Sequence, residues 1–177
     1  FIALDVAAGD LLETAVGLAG ETYDYNPANW DLAKYVDMSN VYCAIYQEEL
    51  SGYMAGYAAV KLGYKNLGFL GGMAVPAVQR YGYGFIQGAA AAAAEKGVEV
   101  DMWYVYGGQF FGGAEIKAAM DKWVSEGCQT IFACGGGIFT SVLDAIEGKE
   151  NCKLIGVDTD QSKSLPGKAV LTSAMKG

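Results

Sequence analysis

Five segments carry residues suited to binding a small molecule, and each lies at the carboxyl end of a predicted β-strand or shortly after it. Carboxylates offer two adjacent oxygens that accept hydrogen bonds from neighbouring hydroxyl groups, and glycine-rich turns expose backbone amides that can donate. The carboxyl ends of parallel strands meet at one edge of a sheet, where α/β proteins bind ligands. The segments are Asp5, Gly71-Gly72, Gly107 to Phe110, Gly135 to Gly137 and Asp158 to Asp160. The sequence therefore predicts a small-molecule site at this edge.

Each segment also has a purely structural interpretation. Gly135 to Gly137 can cradle a hydroxyl-rich group or simply form a tight turn, and it matches neither the G-x-G-x-x-G nor the Walker A pattern of nucleotide sites. Phe110, on a glycine-framed loop, can stack on a flat ligand or fold back as a plug. Asp160 is the better candidate for capping the next helix, and Asp158 for contacting a ligand.

The sequence offers little for catalysis. Histidine is absent, which removes the Ser-His-Asp triad, the Cys-His pair and histidine-based zinc sites together. Thr140 and Ser141 have no assigned base, and nothing favours activation of Lys176 over hydrogen bonding. The four cysteines form no Cys-x-x-Cys motif. We therefore expect no enzyme, no metal and no cofactor.

Two cysteines precede strands that we expect to be parallel neighbours. Cys128 and Cys152 could come within the reach of a disulfide, which would indicate an exported protein, or they could remain two free thiols, the alternative we favour. Cys43 and Cys134 lie within strand patterns and are most simply small buried apolar groups.

Composition bounds the class of protein. The 177 residues carry a formal net charge of −8, so a nucleic-acid partner, which needs a basic surface, is not expected. Aromatic residues make up 12% of the chain and charged residues 18%, which excludes a disordered protein. The longest apolar run, Ala89 to Ala94, is far too short to span a membrane. The chain is expected to be globular, and truncated at both ends because it begins and finishes within strand patterns.

The elements expected to position these residues alternate between strand and helix. Residues 7–38 are predicted to be a long irregular segment. A helix is predicted over residues 47–62, with Leu50, Met54, Tyr57 and Ala58 on one face. Further helices are predicted over 76–96, 114–126 and 139–147, and strands over 1–6, 41–46, 66–71, 98–106, 130–134, 154–157 and 169–174. This order predicts an α/β fold, a parallel sheet built from βαβ units.

Several stretches also carry a resemblance to a known family, in order and at suitable spacing. They are residues 1–5, Tyr46 to Gly56, Gly68 to Met73, Gln79 to Tyr81 with Gly84 to Gly88, Gly156 to Gln161, and Leu171 to Lys176. Together they resemble the basic membrane protein family of exported lipoproteins, substrate-binding components of ABC transporters, several of which bind purine nucleosides.

The resemblance implies a type I periplasmic-binding-protein fold, in which two α/β lobes close on a ligand. Residues 1–62 would be the remnant of the first lobe with its crossover helix, and residues 63–177 the second lobe ending in a crossover strand. The lipid-anchored cysteine and the first strands would precede this sequence. The implied function is extracytoplasmic capture of a nucleoside, a purine by preference, for delivery to an ABC permease, with the membrane contacted only through the lipid anchor.

The resemblance also implies roles for five residues. Phe110 matches the aromatic that stacks on the base, Asp158 the acid that receives the ribose hydroxyls, and Lys176 the lysine near the ribose. Gly136 matches the glycine turn beside the sugar, and Asp5 an acid that reads the base edge. The chain departs from the family pattern in Phe111-Gly112, where a polar-acid pair is usual, and in the length of residues 7–40.

Three other functions remain open on the sequence. A receptor of the same fold could bind a sugar, a free base or a signalling molecule. An enzyme could process nucleosides at the same edge, which release of free base from inosine would show. An intracellular ligand-sensing regulator is the third, and a DNA-binding module at the amino terminus would support it.

Overall fold

The computed structural model describes residues 1–24, 26–165 and 169–176. The chain divides into two compact units, Phe1–Tyr46 and Gln47–Gly177, which are described separately. The predicted lobes have their boundary after residue 62, and that assignment of lobes stays a prediction.

The first unit contains a helix that the sequence analysis missed. Strands β1 (Ile2–Leu4) and β2 (Tyr42–Ala44) pair in parallel, and helix α1 spans Ala8–Leu18. The prediction of an irregular segment over residues 7–38 is therefore wrong for its first third. Leu12 and Val16, one turn apart, bury the inner face of α1, and the Asp10 carboxylate accepts a hydrogen bond from Ala7 N at 2.7 Å. Short 3₁₀ turns follow at Pro27–Asn29, Leu32–Lys34 and Met38–Asn40.

The second unit is built around a five-stranded sheet. Its strands are β3 (Asn66–Gly71), β4 (Asp101–Tyr106), β5 (Thr130–Cys134), β6 (Lys153–Asp158) and β7 (Val170–Met175). Every neighbouring pair is parallel, in the order β4-β3-β5-β6-β7. The helices are α2 (Glu48–Lys61), α3 (Pro76–Lys96), α4 (Ala114–Ser125) and α5 (Phe139–Ile146). The predicted α/β class with a parallel sheet is confirmed.

Both faces of the central strands β3, β5 and β6 are buried, which explains their near-continuous apolar sequences. Phe69 and Phe132 point to the face covered by α2 and α3. Their chain neighbours Leu70 and Ile131 point to the face covered by α4 and α5, because successive side chains of a strand alternate. Among the described residues, no helix has the length and hydrophobicity needed to cross a membrane.

Helices α2 and α3 pack through small residues. Each carries two glycines four residues apart, and a β-carbon at any of them would meet backbone of the opposing helix; they are Gly52, Gly56, Gly84 and Gly88. Apart from Glu48 at its first position, the buried face of α2 therefore consists of glycine, alanine and Val60. The face predicted from Leu50 and Met54 is not the buried one, since both side chains are exposed. Close approach of the two backbones leaves no room for large side chains between them.

Candidate functional site

The carboxyl ends of the five parallel strands lie at one edge of the sheet, called here the carboxyl edge. The segments after β3, β4, β5, β6 and β7 all begin there, as the register of neighbouring strands requires. The predicted site residues of the second unit lie at the ends of these strands or in the segments that follow them: Phe110, Gly136, Asp158 and Lys176.

Phe110 and the glycine turn after β5 are brought together. Gly137 N donates a hydrogen bond of 2.7 Å to Phe110 O. The Phe110 ring lies against Gly72 and Gly135, where a β-carbon on Gly135 would come within 2.9 Å of the ring. Gly136 has a φ of +50°, a left-handed conformation that glycine adopts without strain. Phe110 remains 37% exposed, so its ring contacts these glycines but is only partly covered.

The neighbouring ring differs in its surroundings. Phe111 is 64% exposed, and its backbone forms an isolated parallel bridge with Gly137.

Ser141, whose hydroxyl was considered as a nucleophile, has a structural role instead. Ser141 is buried and its Oγ accepts a hydrogen bond of 2.9 Å from Gly113 N, which holds the end of the loop.

Asp158 and Lys176 are also brought together. Asp158 is the last residue of β6 and has a φ of +64°, which is rare for a residue with a side chain. Lys176 N donates to Asp158 O at 3.0 Å, and Lys176 Nζ lies 3.9 Å from Asp158 Oδ1. The Asp158 side chain is 48% exposed, so its carboxylate is partly accessible from outside. Asp160 caps the short 3₁₀ turn Gln161–Lys163 by accepting from Ser162 N, as predicted.

Tyr81 supports Asp158 from inside the protein. Its hydroxyl is shared between Asp158 Oδ1 at 3.2 Å and Ala174 O at 3.3 Å. Burial raises the pKa of Tyr81 well above its ordinary value, and the negative charge of Asp158 raises it further. Burial likewise raises the pKa of the nearby Cys134 thiol. Tyr81 is therefore protonated throughout the physiological range and is a permanent donor beneath Asp158.

The sequence analysis did not predict a buried ion pair that lies next to Lys176. The Glu48 side chain is completely buried, and Arg80 Nε donates to Glu48 Oε2 at 2.6 Å. On the other side, Lys176 Nζ lies 3.3 Å from Glu48 Oε1. One signal was available in the sequence, because Arg80 is its sole arginine. Arginine is favoured where a buried carboxylate needs a partner.

Asp5 belongs to the first unit. It directly follows β1 and has a φ of +59°. Asp5 N donates to Ala44 O at 2.7 Å, which continues the pairing of β1 with β2. Its role toward a base stays a prediction.

All four cysteines lie in the described part of the chain and carry free thiols. Cys128 and Cys152 are buried next to each other. Their mutual hydrogen bond raises the pKa of Cys128, as burial also does, and it lowers the pKa of Cys152 against the opposing effect of burial. The disulfide considered for this pair is thus absent, and the free-thiol alternative is found. The described residues contain no cluster of three or more His, Cys, Asp or Glu side chains placed to hold a metal ion.

Comparison with known proteins defines the class first. A solute-binding protein of an ABC transporter system from Aeropyrum pernix K1 shares the fold with a TM-score of 0.67 at 14% identity, covering 97% of this chain and 65% of that chain. The architecture is that of type I periplasmic binding proteins. Residues 26–177 match the Bmp family, described as PnrA-like ABC transporter substrate-binding proteins, and the chain belongs to that family. The members of this family are described as substrate-binding proteins and not as enzymes.

Two relatives show how much of the family's length is present. The ABC transporter nucleoside-binding protein BmpA of Lactococcus lactis is 31% identical over 156 residues, 79% of this chain and 43% of that protein. Basic membrane protein B of Borreliella afzelii is 31% identical over 140 residues, 77% of this chain and 39% of that protein. The chain thus spans less than half the length of either relative.

Proposed function

We propose that this protein captures a nucleoside, a purine by preference, and delivers it to the permease of an ABC transporter. The observation that carries the proposal is the placement of two different binding elements along one carboxyl edge. A partly exposed aromatic ring at Phe110 follows β4, and an acid–lysine pair, Asp158 with Lys176, stands at the ends of β6 and β7. A relative named as nucleoside-binding supports the same substrate class.

The chemistry of a nucleoside fits these two elements. The flat base needs an aromatic face, and base stacking on an aromatic side chain contributes ~1–3 kcal/mol. The ribose diol needs a carboxylate that accepts from both hydroxyls and a nearby donor, which Asp158 and Lys176 supply. Gly136 allows close approach of the sugar beside the turn. A neutral ligand requires no cluster of positive charges, in keeping with a net charge of −8.

The proposal extends to the whole protein. Residues 1–62 belong to the first lobe, where Asp5 reads the edge of the base, and residues 63–177 form the second lobe. The ligand shifts the two lobes toward their closed state, because the closed state has the higher affinity for ligand. The protein acts outside the cytoplasm, and a lipid anchor beyond these 177 residues holds it to the membrane near its permease.

The test is a thermal-shift screen of the full-length protein against purine nucleosides, pyrimidine nucleosides, free bases and sugars, followed by calorimetry. Ligand at a hundred times its Kd raises the stability of the folded state by ~2.7 kcal/mol. We expect a purine nucleoside to shift the melting temperature. The affinity should fall in Phe110→Ala and remain in Phe111→Ala, the matched neighbour. If sugars alone shift the melting temperature, the fold assignment stands and the proposal of a nucleoside ligand is refuted.

A further inference from the structure

We propose that Glu48 is a positioning residue of this site, which acts through Lys176 to keep the Asp158 carboxylate available to ligand. The inference rests on the proposed function for its ligand. Glu48 itself lies behind the carboxyl edge, at the first position of α2. Its side chain is completely buried, whereas that of Asp158 is 48% exposed.

The burial of Glu48 is offset by two cations on its two oxygens. Arg80, from the first turns of α3, donates to Oε2, and Lys176 pairs with Oε1. Oε1 accepts no hydrogen bond from any residue that the structure describes, so the ammonium group of Lys176 is what offsets its burial. A buried carboxylate without such partners would strongly destabilise the fold.

The position of Glu48 is fixed by packing that does not involve a ligand. Helix α2 is held against α3 by the close glycine contacts described above. Ser51 Oγ, one turn after Glu48, donates to Met175 O at 2.8 Å and ties α2 to the end of β7. The residue after Met175 is Lys176, so the same turn of helix holds both the backbone and the charge of this lysine.

Lys176 therefore stands between two carboxylates, at 3.3 Å from Glu48 and 3.9 Å from Asp158. Each competes for the same ammonium group. The carboxylate of Glu48 draws the lysine inward, and Asp158 keeps acceptor capacity for hydroxyl groups of a ligand. With an uncharged side chain substituted at residue 48, Lys176 would pair more tightly with Asp158 Oδ1 and compete directly with the ligand.

The first test compares Glu48→Gln with Glu115→Gln in the full-length protein, using calorimetry with adenosine, guanosine and inosine. Glu115 is a matched control because it lies in the first turn of α4 and is exposed. We expect Glu48→Gln to weaken binding about fivefold or more, and the control to leave it unchanged. The loss should disappear when Glu48→Gln is added to Lys176→Met. An equal loss in that background would overturn the proposal, because Glu48 would then act without the lysine.

A second test needs no ligand and therefore separates this inference from the proposed function. The rate at which acetic anhydride acylates Lys176, followed by peptide mass spectrometry, should rise about fivefold in Glu48→Gln, because the amine leaves its buried partner for the half-exposed Asp158 and becomes more accessible. Arg80→Gln should slow the reaction, since Glu48 then pairs with Lys176 alone. General loosening of the fold would accelerate both variants. An unchanged rate in Glu48→Gln, or acceleration in both variants, would overturn the inference, whereas absence of binding by every nucleoside would refute only the function.

Discussion

The aromatic ring of Phe110 occupies the space beside Gly72 that a β-carbon at that position would need. The backbone of Gly72 is fixed on both sides, since its N–H donates to Cys134 O at 2.8 Å and its carbonyl accepts from Gly108 N at 3.0 Å. A side chain at residue 72 cannot move away from the ring, so the ring would have to move. The orientation of Phe110 therefore depends on a glycine 38 positions earlier in the chain.

Gly72→Ala should consequently weaken binding of a purine nucleoside. Displacing the ring removes some or all of the stacking energy, so we expect a loss of roughly 5- to 150-fold in affinity by calorimetry. The double variant with Phe110→Ala provides the control. If Gly72 acts through the ring, the added methyl group costs nothing once the ring is gone. Full affinity in the single variant would show that Phe110 does not contact the ligand.

Asp158 and Asp160 allow a paired test of the ribose contact. Asp158→Asn removes the charge while keeping the size, and hydrogen bonds to a charged acceptor are the stronger ones, so affinity should fall about tenfold or more. Asp160→Asn changes a carboxylate that caps a short turn two residues away and should leave affinity unchanged. Calorimetry of both variants decides the point. Equal affinities would remove Asp158 from the site.

The parts of the site at the carboxyl edge could be predicted from the sequence. Phe110 and Gly136 follow strands and Asp158 ends one, and parallel pairing brings all strand ends to one edge. Side-chain contacts between residues that are far apart in the sequence of the second unit could not be predicted in this way. Glu48 begins a helix, where an acid is ordinarily exposed and favoured by the helix dipole. Its burial depends on Arg80, 32 residues away on a different helix.

Helix faces were the least predictable part of the fold. Periodicity assigns large apolar residues to the core, yet α2 buries Gly52 and Gly56 and exposes Leu50 and Met54. Close helix packing through glycine produces a small-residue stripe that hydrophobicity alone does not detect. In α1, Gly9 is likewise buried, against the Trp30 ring.

The glycine contact between α2 and α3 makes a stability prediction. A β-carbon at Gly88 would collide with the backbone carbonyl of Tyr53, which a fixed helix cannot relieve by side-chain rotation. Gly88→Ala should lower the free energy of unfolding by ~1–3 kcal/mol in urea titrations, as overpacking does elsewhere. Gly17→Ala in α1 is the control, because a β-carbon added there would meet no neighbouring atom within 4 Å. This substitution should leave the free energy of unfolding unchanged or raise it. Destabilisation of both to the same extent would contradict the packing argument.

The cysteines are expected to differ in reactivity according to exposure. Cys43 is half-buried, while Cys128, Cys134 and Cys152 are buried, so iodoacetamide should alkylate Cys43 first in the native protein. Peptide mass spectrometry after short exposure measures the order. In denaturant all four should react, because all are free thiols. A peptide pair linked through Cys128 and Cys152 without reductant would instead reveal a disulfide.

Tyr81 makes stability depend on alkaline pH, in a direction that its environment fixes. Its pKa in the folded state is raised above the ordinary value of 10.0 by burial and by the charge of Asp158. Below pH 10.0 both states keep the proton and the stability is complete. Above it only the unfolded state ionises, so the free energy of unfolding falls by up to ~1.4 kcal/mol per pH unit.

Tyr81→Phe should make this alkaline decline shallower, measured by urea unfolding at a series of pH values around and above 10.0. A decline should persist, because burial raises the pKa of Tyr104 in the same way. Tyr83→Phe, at a tyrosine that is 65% exposed, should follow the wild-type curve. At neutral pH Tyr81→Phe should also weaken ligand binding, because the permanent donor to Asp158 is lost. Parallel curves for wild type and Tyr81→Phe would show that this hydroxyl ionises equally in both states and is not held beneath Asp158 as described.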